Sequence, residues 1–204
     1  MTTRRLRYAT HLIVFLAVYG SAVCAQSISP SRTWSLALEV GNWQPQSLNE
    51  QPVFSTFGKA GATPLFMGAV SLPLVADVGI RFAGGFWSLR NLEGAEQIHS
   101  LTLHSLNLDL KYWLVPDFRL SAYVLYGASG YWGVENEKQP FGQRIRKAKP
   151  GWGANLGAGF DIALSRRFGI GVEFEYRFIR FKEPMGGIED FSGPKIGCTV
   201  YLFP

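Results

Sequence analysis

The chain has 204 residues, a mean hydropathy of +0.06 and a formal net charge of +5, a length that suits one domain. With 23 glycines and 14% aromatic residues against only 17% charged ones, the composition is not that of a helical protein. It points to an all-β protein with many tight turns.

The first 25 residues read as an export signal. Arg4, Arg5 and Arg7 form a positive start, Leu12 to Val23 an apolar run, and Val23-Cys24-Ala25 a small-residue cleavage site before Gln26. The run is shorter than the roughly 20 apolar residues of a spanning helix, and Ser21-Ala22-Val23 is a poor lipoprotein motif before Cys24. Cleavage would take three of the 20 cations and none of the 15 acids, leaving a charge of +2. The basic balance therefore belongs largely to the signal, and no nucleic acid partner is expected. Cys198 would remain alone, without a disulfide partner or metal-type spacing. Residues 26–204 would form a single barrel domain.

Beyond residue 30 the recurring signal is alternation, which sends successive side chains to opposite faces of a strand. Residues 34–43 set Trp34, Leu36, Leu38 and Val40 against Ser35, Ala37, Glu39 and Gly41. Residues 77–87 set Val78, Ile80, Phe82 and Phe86 against Asp77, Gly79, Arg81 and Gly85. Residues 104–114 set Leu106, Leu108, Leu110, Tyr112 and Leu114 against Ser105, Asn107, Asp109 and Lys111. Residues 152–164 set Trp152, Leu156, Phe160, Ile162 and Leu164 against Gly153, Asn155, Gly157, Gly159 and Asp161. The clearest segment, 168–178, sets Phe168, Ile170, Val172, Phe174, Tyr176 and Phe178 against Gly169, Gly171, Glu173, Glu175 and Arg177. Segments 64–72, 119–133 and 194–203 alternate less cleanly and bring the count to about eight strands, near the 9–11 residues a tilted crossing needs.

Short connections at Pro73–Ala76, Val115–Phe118 and Ser165–Arg167 alternate with longer ones at 44–63, 90–98, 135–150 and 183–193. That is the plan of an up-and-down barrel with periplasmic turns and external loops. Trp34, Trp43, Trp87, Trp113, Trp132 and Trp152 all fall near predicted strand ends, where an amphipathic ring can sit at headgroup level.

The polar parity decides which face is outside. A water-washed face would be rich in Lys, Glu, Thr and Gln. Here it carries Gly, Ala, Ser and Asn with charges of both signs, as a narrow lumen requires. The fold class is therefore an all-β, eight-stranded antiparallel transmembrane barrel. Asp109, Lys111, Glu173, Glu175 and Arg177 are expected to form a lumen charge network that plugs the interior.

With its export signal, strand-turn pattern, the phrase Leu108-Asp109-Leu110-Lys111-Tyr112-Trp113 and an aromatic-ended last strand, the chain over roughly residues 30–203 resembles the small outer-membrane barrels that include the OmpA transmembrane domain, OmpX and OmpW. The resemblance implies location in a bacterial outer membrane, contact with its lipid and lipopolysaccharide, and a monomer. It also implies assembly through the C-terminal strand Gly197-Cys198-Thr199-Val200-Tyr201-Leu202-Phe203, although Pro204 departs from a terminal aromatic. The facing of that strand stays open, because Cys198, Val200 and Leu202 compete with Tyr201 and Phe203 for the lipid side. A secreted lipocalin-like carrier is the rival fold, on the strength of Gly41-Asn42-Trp43.

No motif carries catalysis. His99-Ser100 and His104-Ser105 are adjacent pairs, whose members face opposite ways on a strand, and the His-x-Ser pattern of lipid A deacylases is absent. No metal or cofactor site is expected. The basic run Arg144, Arg146, Lys147 and Lys149, placed in the third long loop, is the candidate contact for lipopolysaccharide phosphates. The function expected is structural or surface-interacting, against a narrow OmpW-like solute conduit or a lipid A-modifying enzyme.

Overall fold

A computed structural model describes residues 34–49, 64–75, 77–90, 98–114, 120–138, 144–185 and 187–204. The export signal predicted at 1–25 and its cleavage site lie outside the described residues. Nine strands form in chain order: β1 (Ser35–Trp43), β2 (Pro64–Val75), β3 (Val78–Arg90), β4 (Ile98–Trp113), β5 (Leu120–Lys138), β6 (Arg144–Ala163), β7 (Phe168–Met185), β8 (Ile188–Asp190) and β9 (Gly193–Leu202). Every pairing is antiparallel. The ladder runs β6-β5-β4-β3-β2-β1-β9-β7, and a β6–β7 pairing closes it into a barrel of eight strands. The short β8 is a flap hydrogen-bonded to the outer end of β7, not a stave. It is reached through Gly187, whose φ of 82° is the left-handed conformation that glycine adopts without steric cost.

The register puts each predicted apolar parity outside. Leu38, Phe82, Leu106, Leu156, Phe174 and Val200 are all at least half exposed on the outer wall, while their polar neighbours are buried. On β7 this lipid-type face runs from Phe168 to Phe178. Ten strand steps of ~3.3 Å, tilted by ~40°, make a band about 25 Å tall, the apolar height of an outer-membrane barrel. A soluble lipocalin-like barrel would need the reverse facing, so that reading is excluded. No described helix is long and apolar enough to cross a membrane, which says nothing of a barrel's strands.

Short turns close one end, and both the start of β1 and the end of β9 lie there. Between β6 and β7, the Ser165 hydroxyl accepts hydrogen bonds from the backbone N–H groups of Arg167 and Phe168, at 3.2 and 3.1 Å. At the other end the strands outrun the prediction. Residues 135–138 and 144–150 were expected in a loop but continue β5 and β6, paired from Lys138↔Arg144 inward. Residues 183–185 continue β7.

Above the apolar band the two faces exchange character. Inward-facing Trp87, Leu89, Leu101, Leu103, Ile179 and Phe181 are no more than 2% exposed, whereas outward-facing Ser88, Arg180 and Lys182 meet solvent. This outer segment is built like a soluble protein, apolar within and polar without. The crossover removes the single parity that sequence reading follows.

Candidate functional site: the barrel lumen

The lumen is filled at three levels. At the end with the short turns, Trp113, Tyr123 and Leu125 form one small cluster and Ala37, Tyr201 and Phe203 another. The last strand thus faces Tyr201 and Phe203 inward and Cys198, Val200 and Leu202 toward lipid. At the outer end a larger cluster gathers Trp43, Leu65, Met67, Trp87, Leu101, Leu103, Ile179 and Phe181. It is capped by Leu48 from the 3-10 turn Gln46–Asn49 and by Met185, Ile188 and Phe191 around β8. Hydrogen bonds tie that cap down: Gln44 and Gln46 N–H donate to the Pro194 and Ser192 carbonyls, the Ser47 hydroxyl to the Asp190 carbonyl, and the Tyr176 hydroxyl to Gln46 Oε1.

Three tryptophans depart from the headgroup expectation. Trp43, Trp87 and Trp113 lie inside, the first two meeting edge to face at 4.9 Å. Only Trp34, Trp132 and Trp152 stand outside. Trp43 and Trp87 lie at the crossover, where an inward ring fills a lumen that is already apolar.

Between these clusters lies the charged layer, in which no charged side chain is more than 6% exposed. Lys195 on β9 is its hub, with Nζ at 2.7 Å from Glu39 Oε1, 2.8 Å from Glu173 Oε1 and 2.7 Å from Glu175 Oε2. Arg81 on β3 reaches Asp109 Oδ2 at 2.9 Å with Nε and Glu173 Oε2 at 2.5 Å with Nη1. Asn155 donates to Asp109 Oδ1 at 2.7 Å, and the Tyr123 hydroxyl donates to Glu173 Oε2 at 3.0 Å. Arg177 binds Glu175 Oε1 through Nε at 2.8 Å and reaches the Met67 sulfur at 3.0 Å. Lys111 pairs with Asp161 Oδ2 at 2.5 Å and lies 3.6 Å above the Tyr123 ring, with Trp113 and Tyr201 farther round it. An ammonium walled by aromatic faces and one carboxylate is held by cation–π attraction as well as by its ion pair.

All five residues singled out in the sequence, Asp109, Lys111, Glu173, Glu175 and Arg177, point into this layer. Among themselves only Glu175 and Arg177 touch. Arg81 joins Asp109 to Glu173, Lys195 joins Glu173 to Glu175, and Lys111 stands apart with Asp161. Glu39, Arg81, Asp161 and Lys195 were thus missed, although each occupies the polar parity of its strand. Lys195 was the hardest to find, because its strand has apolar side chains on both faces. Large side chains fit here because glycines stand beneath them. A Cβ on Gly159 would lie 2.5 Å from the Tyr123 ring, and one on Gly171 2.6 Å from Asp161 Oδ1.

The remaining candidates lie elsewhere. The basic run belongs to the outer end of β6, not to a loop. Arg144, Arg146, Lys147 and Lys149 pair in register with Lys138, Asn136, Glu135 and Gly133 of β5. Lys149 is already engaged, 3.6 Å from Glu135 Oε2 and donating to the Pro184 carbonyl. His104 faces outward, stacked on Trp132 at 5.7 Å, while Ser105 faces the lumen. The side chain of His99 lies outside the described residues.

No protein-family model matches the chain, and no curated protein matches it. Solved structures do. The Yersinia pestis attachment invasion locus protein Ail, in complex with the heparin analogue sucrose octasulfate, superposes with a TM-score of 0.52 at 14% identity, over 84% of this chain and 97% of that one. Outer membrane protein OprG of Pseudomonas aeruginosa gives 0.52 at 12% identity, covering 85% and 94%. Neisserial surface protein A gives 0.50 at 11% identity, covering 83% and 96%. At such identities the likeness is one of fold. The chain has the fold of the small outer-membrane barrels, as the resemblance implied.

Proposed function

We propose that this protein resides in a bacterial outer membrane as a non-catalytic structural and surface-interaction barrel that passes no solute through its lumen. The observation that carries the reading is the continuous filling of the interior: aromatic clusters, then the ion-paired layer, then an apolar core under a hydrogen-bonded cap. What remains for function is the outer end, where strands rise past the apolar band. There, loops on a rigid scaffold can vary without disturbing it. The chain enters the membrane through β9 with the help of the barrel assembly machinery and works as a monomer.

The basic run supplies the contact. Arg144, Arg146 and Lys147 meet anionic groups of lipopolysaccharide, and Lys149 is braced against Glu135. Ail, crystallised with a polysulfated sugar, offers a precedent for a polyanionic saccharide on a barrel of this fold. The test has two parts. The protein in planar bilayers should pass no stepwise current, and unitary openings would favour the OmpW-like conduit instead. Binding of lipopolysaccharide to the barrel in neutral nanodiscs should weaken with salt and with Arg144→Glu/Arg146→Glu, and binding indifferent to both would remove the run from the function.

A further inference from the structure

Most of the lipid-facing wall is paved with large side chains. Phe168, Ile170, Val172, Phe174 and Phe178 cover β7, and Leu36, Leu38 and Val40 cover β1. Across β3 to β5 the paving is interrupted. Gly84, Ala128 and Gly130 share the outward parity of their exposed neighbours Phe82, Phe86 and Tyr126. Glycine weakens a strand. Inner glycines such as Gly159 make room for a large lumen side chain, but Gly130 makes room for nothing in the protein: a Cβ there would meet no atom within 4 Å.

The three small residues floor a groove of about 610 Å³, walled by Phe82, Leu106, Leu108 and Trp152. Leu106 leans toward Gly84, where an added Cβ would lie 3.2 Å from its Cδ2, and the floor over Gly130 stays clear. Register fixes the height of the groove. Gly84, Leu106, Gly130 and Trp152 form one row across four strands, and the row two residues farther out is Phe86, His104, Trp132 and Pro150. His104 stacks on Trp132, and amphipathic rings of this kind sit at headgroup level. The groove therefore lies in the outer half of the apolar band, directly beneath the head groups.

Above the rings the same strands turn polar. Ser88 and Thr102 pair in register, and their hydroxyls meet at 3.3 Å. The next row runs Arg90, Ser100, Asn136, Arg146, with the Asn136 amide donating to Ser100 Oγ at 3.4 Å. A row of neutral hydrogen-bonding groups that begins and ends in arginine has the chemistry for phosphate and sugar hydroxyls.

We propose that the groove seats one acyl chain of a lipopolysaccharide molecule, whose phosphorylated head group lies against the polar rows above it. On a flat wall a chain touches protein along one side. In the groove it touches a floor and two walls, and dispersion contacts accumulate atom by atom. The floor has no side chain to be ordered when the chain settles. The arginine-ended row selects an anionic head group, and the height of the groove selects the outer leaflet. A second groove, of about 670 Å³ over Gly68, runs instead toward the short-turn end among Leu36, Phe168 and Leu202, and provides a control. The inference deepens the proposed function and rests on its lipopolysaccharide contact.

The test refolds the full mature barrel in a neutral detergent, titrates it with purified lipid A and counts bound lipid by native mass spectrometry. Each variant is first shown to keep the mobility of the folded barrel before boiling. One lipid A per barrel is expected. Gly130→Leu fills the groove and should weaken binding roughly tenfold, the worth of about ten lost carbon contacts. Trp152→Ala, which removes a wall, should weaken it as well. Gly68→Leu fills the other groove and should leave binding unchanged. Lipid A stripped of its acyl chains should bind the wild type and Gly130→Leu alike. The inference is overturned if Gly130→Leu binds lipid A as the wild type does, if Gly68→Leu loses as much, if phosphatidylglycerol matches lipid A, or if two barrels pair through the groove. A stripped head group that does not bind defeats the proposed lipopolysaccharide contact itself. One that binds, alongside lipid A binding blind to Gly130→Leu, defeats only the groove.

Discussion

Replacing Lys195 with Met tests whether the charged layer is as dry as its burial indicates. The ammonium lies within 2.8 Å of Glu39, Glu173 and Glu175, and the residue is 2% exposed. Met preserves most of the volume, so the change is nearly pure charge removal. Glu173 keeps Arg81 and Glu175 keeps Arg177, but Glu39 loses the one cation it touches. Removing one member of a buried ion pair typically costs about 3–5 kcal/mol, whereas an exposed pair is worth roughly 0–1 kcal/mol. Lys195→Met should therefore lose about 3–5 kcal/mol in urea unfolding from lipid vesicles, followed by tryptophan fluorescence and by the mobility difference between boiled and unboiled samples. Adding Glu39→Gln removes the stranded carboxylate and should recover about 1–3 kcal/mol of that loss, a coupling expected of direct neighbours. A loss below about 1 kcal/mol for Lys195→Met would mean that water reaches the layer, and the sealed-lumen argument would fall with it.

Inner and outer glycines should respond oppositely to the same methyl group. Gly159→Ala puts a Cβ 2.5 Å from Tyr123 and from the Val172 carbonyl, and should cost about 1–3 kcal/mol in the same unfolding assay. Gly130→Ala meets nothing within 4 Å and should be neutral or stabilising by up to about 1 kcal/mol; equal effects would mean the facing is wrong. Lys111→Met should be markedly destabilising because it strands Asp161, and Lys111→Met/Asp161→Asn should be milder than the single change. A double variant worse than the single would show that the Asp161 carboxylate is held by groups other than Lys111. Cys198, exposed on the lipid-facing side of β9, should react in the folded barrel with a membrane-partitioning maleimide and not with a charged, water-soluble one. Labelling by the charged reagent would turn that strand over.

Inside the apolar band the fold was legible residue by residue, because lipid and lumen impose opposite chemistry on alternate positions. Phe168 to Phe178 states it without exception, and β3, β4 and β6 nearly so. Legibility fails where that contrast fails. Leu101, Leu103, Ile179 and Phe181 share the parity of Asp109 and Glu175, so a reader following polarity along β4 or β7 loses the thread at the crossover. The basic residues from Arg144 to Lys149 suggested a loop because polar runs usually are loops, and only Ile145 and Ala148 interrupt this one. The network was half legible for a related reason. Parity shows that Glu173 faces inward, but only closure of the barrel brings β3, β7 and β9 together across the lumen, and Arg81 and Lys195 with them.

The exchange of polarity along the staves also bears on how the barrel meets a bilayer. Sinking by one inward–outward repeat would drag Arg180 into hydrocarbon, and rising by one would strand Phe168 and Leu120 in water. The hydrogen-bonded ladder leaves no soft joint with which to adjust. A helix of the wrong length can tilt, but this cylinder obliges the surrounding lipid to stretch or thin until its hydrocarbon matches a wall of about 25 Å. Membrane thickness would thereby act on where the protein settles, favouring thin leaflets over thick ones independently of any partner its outer end engages.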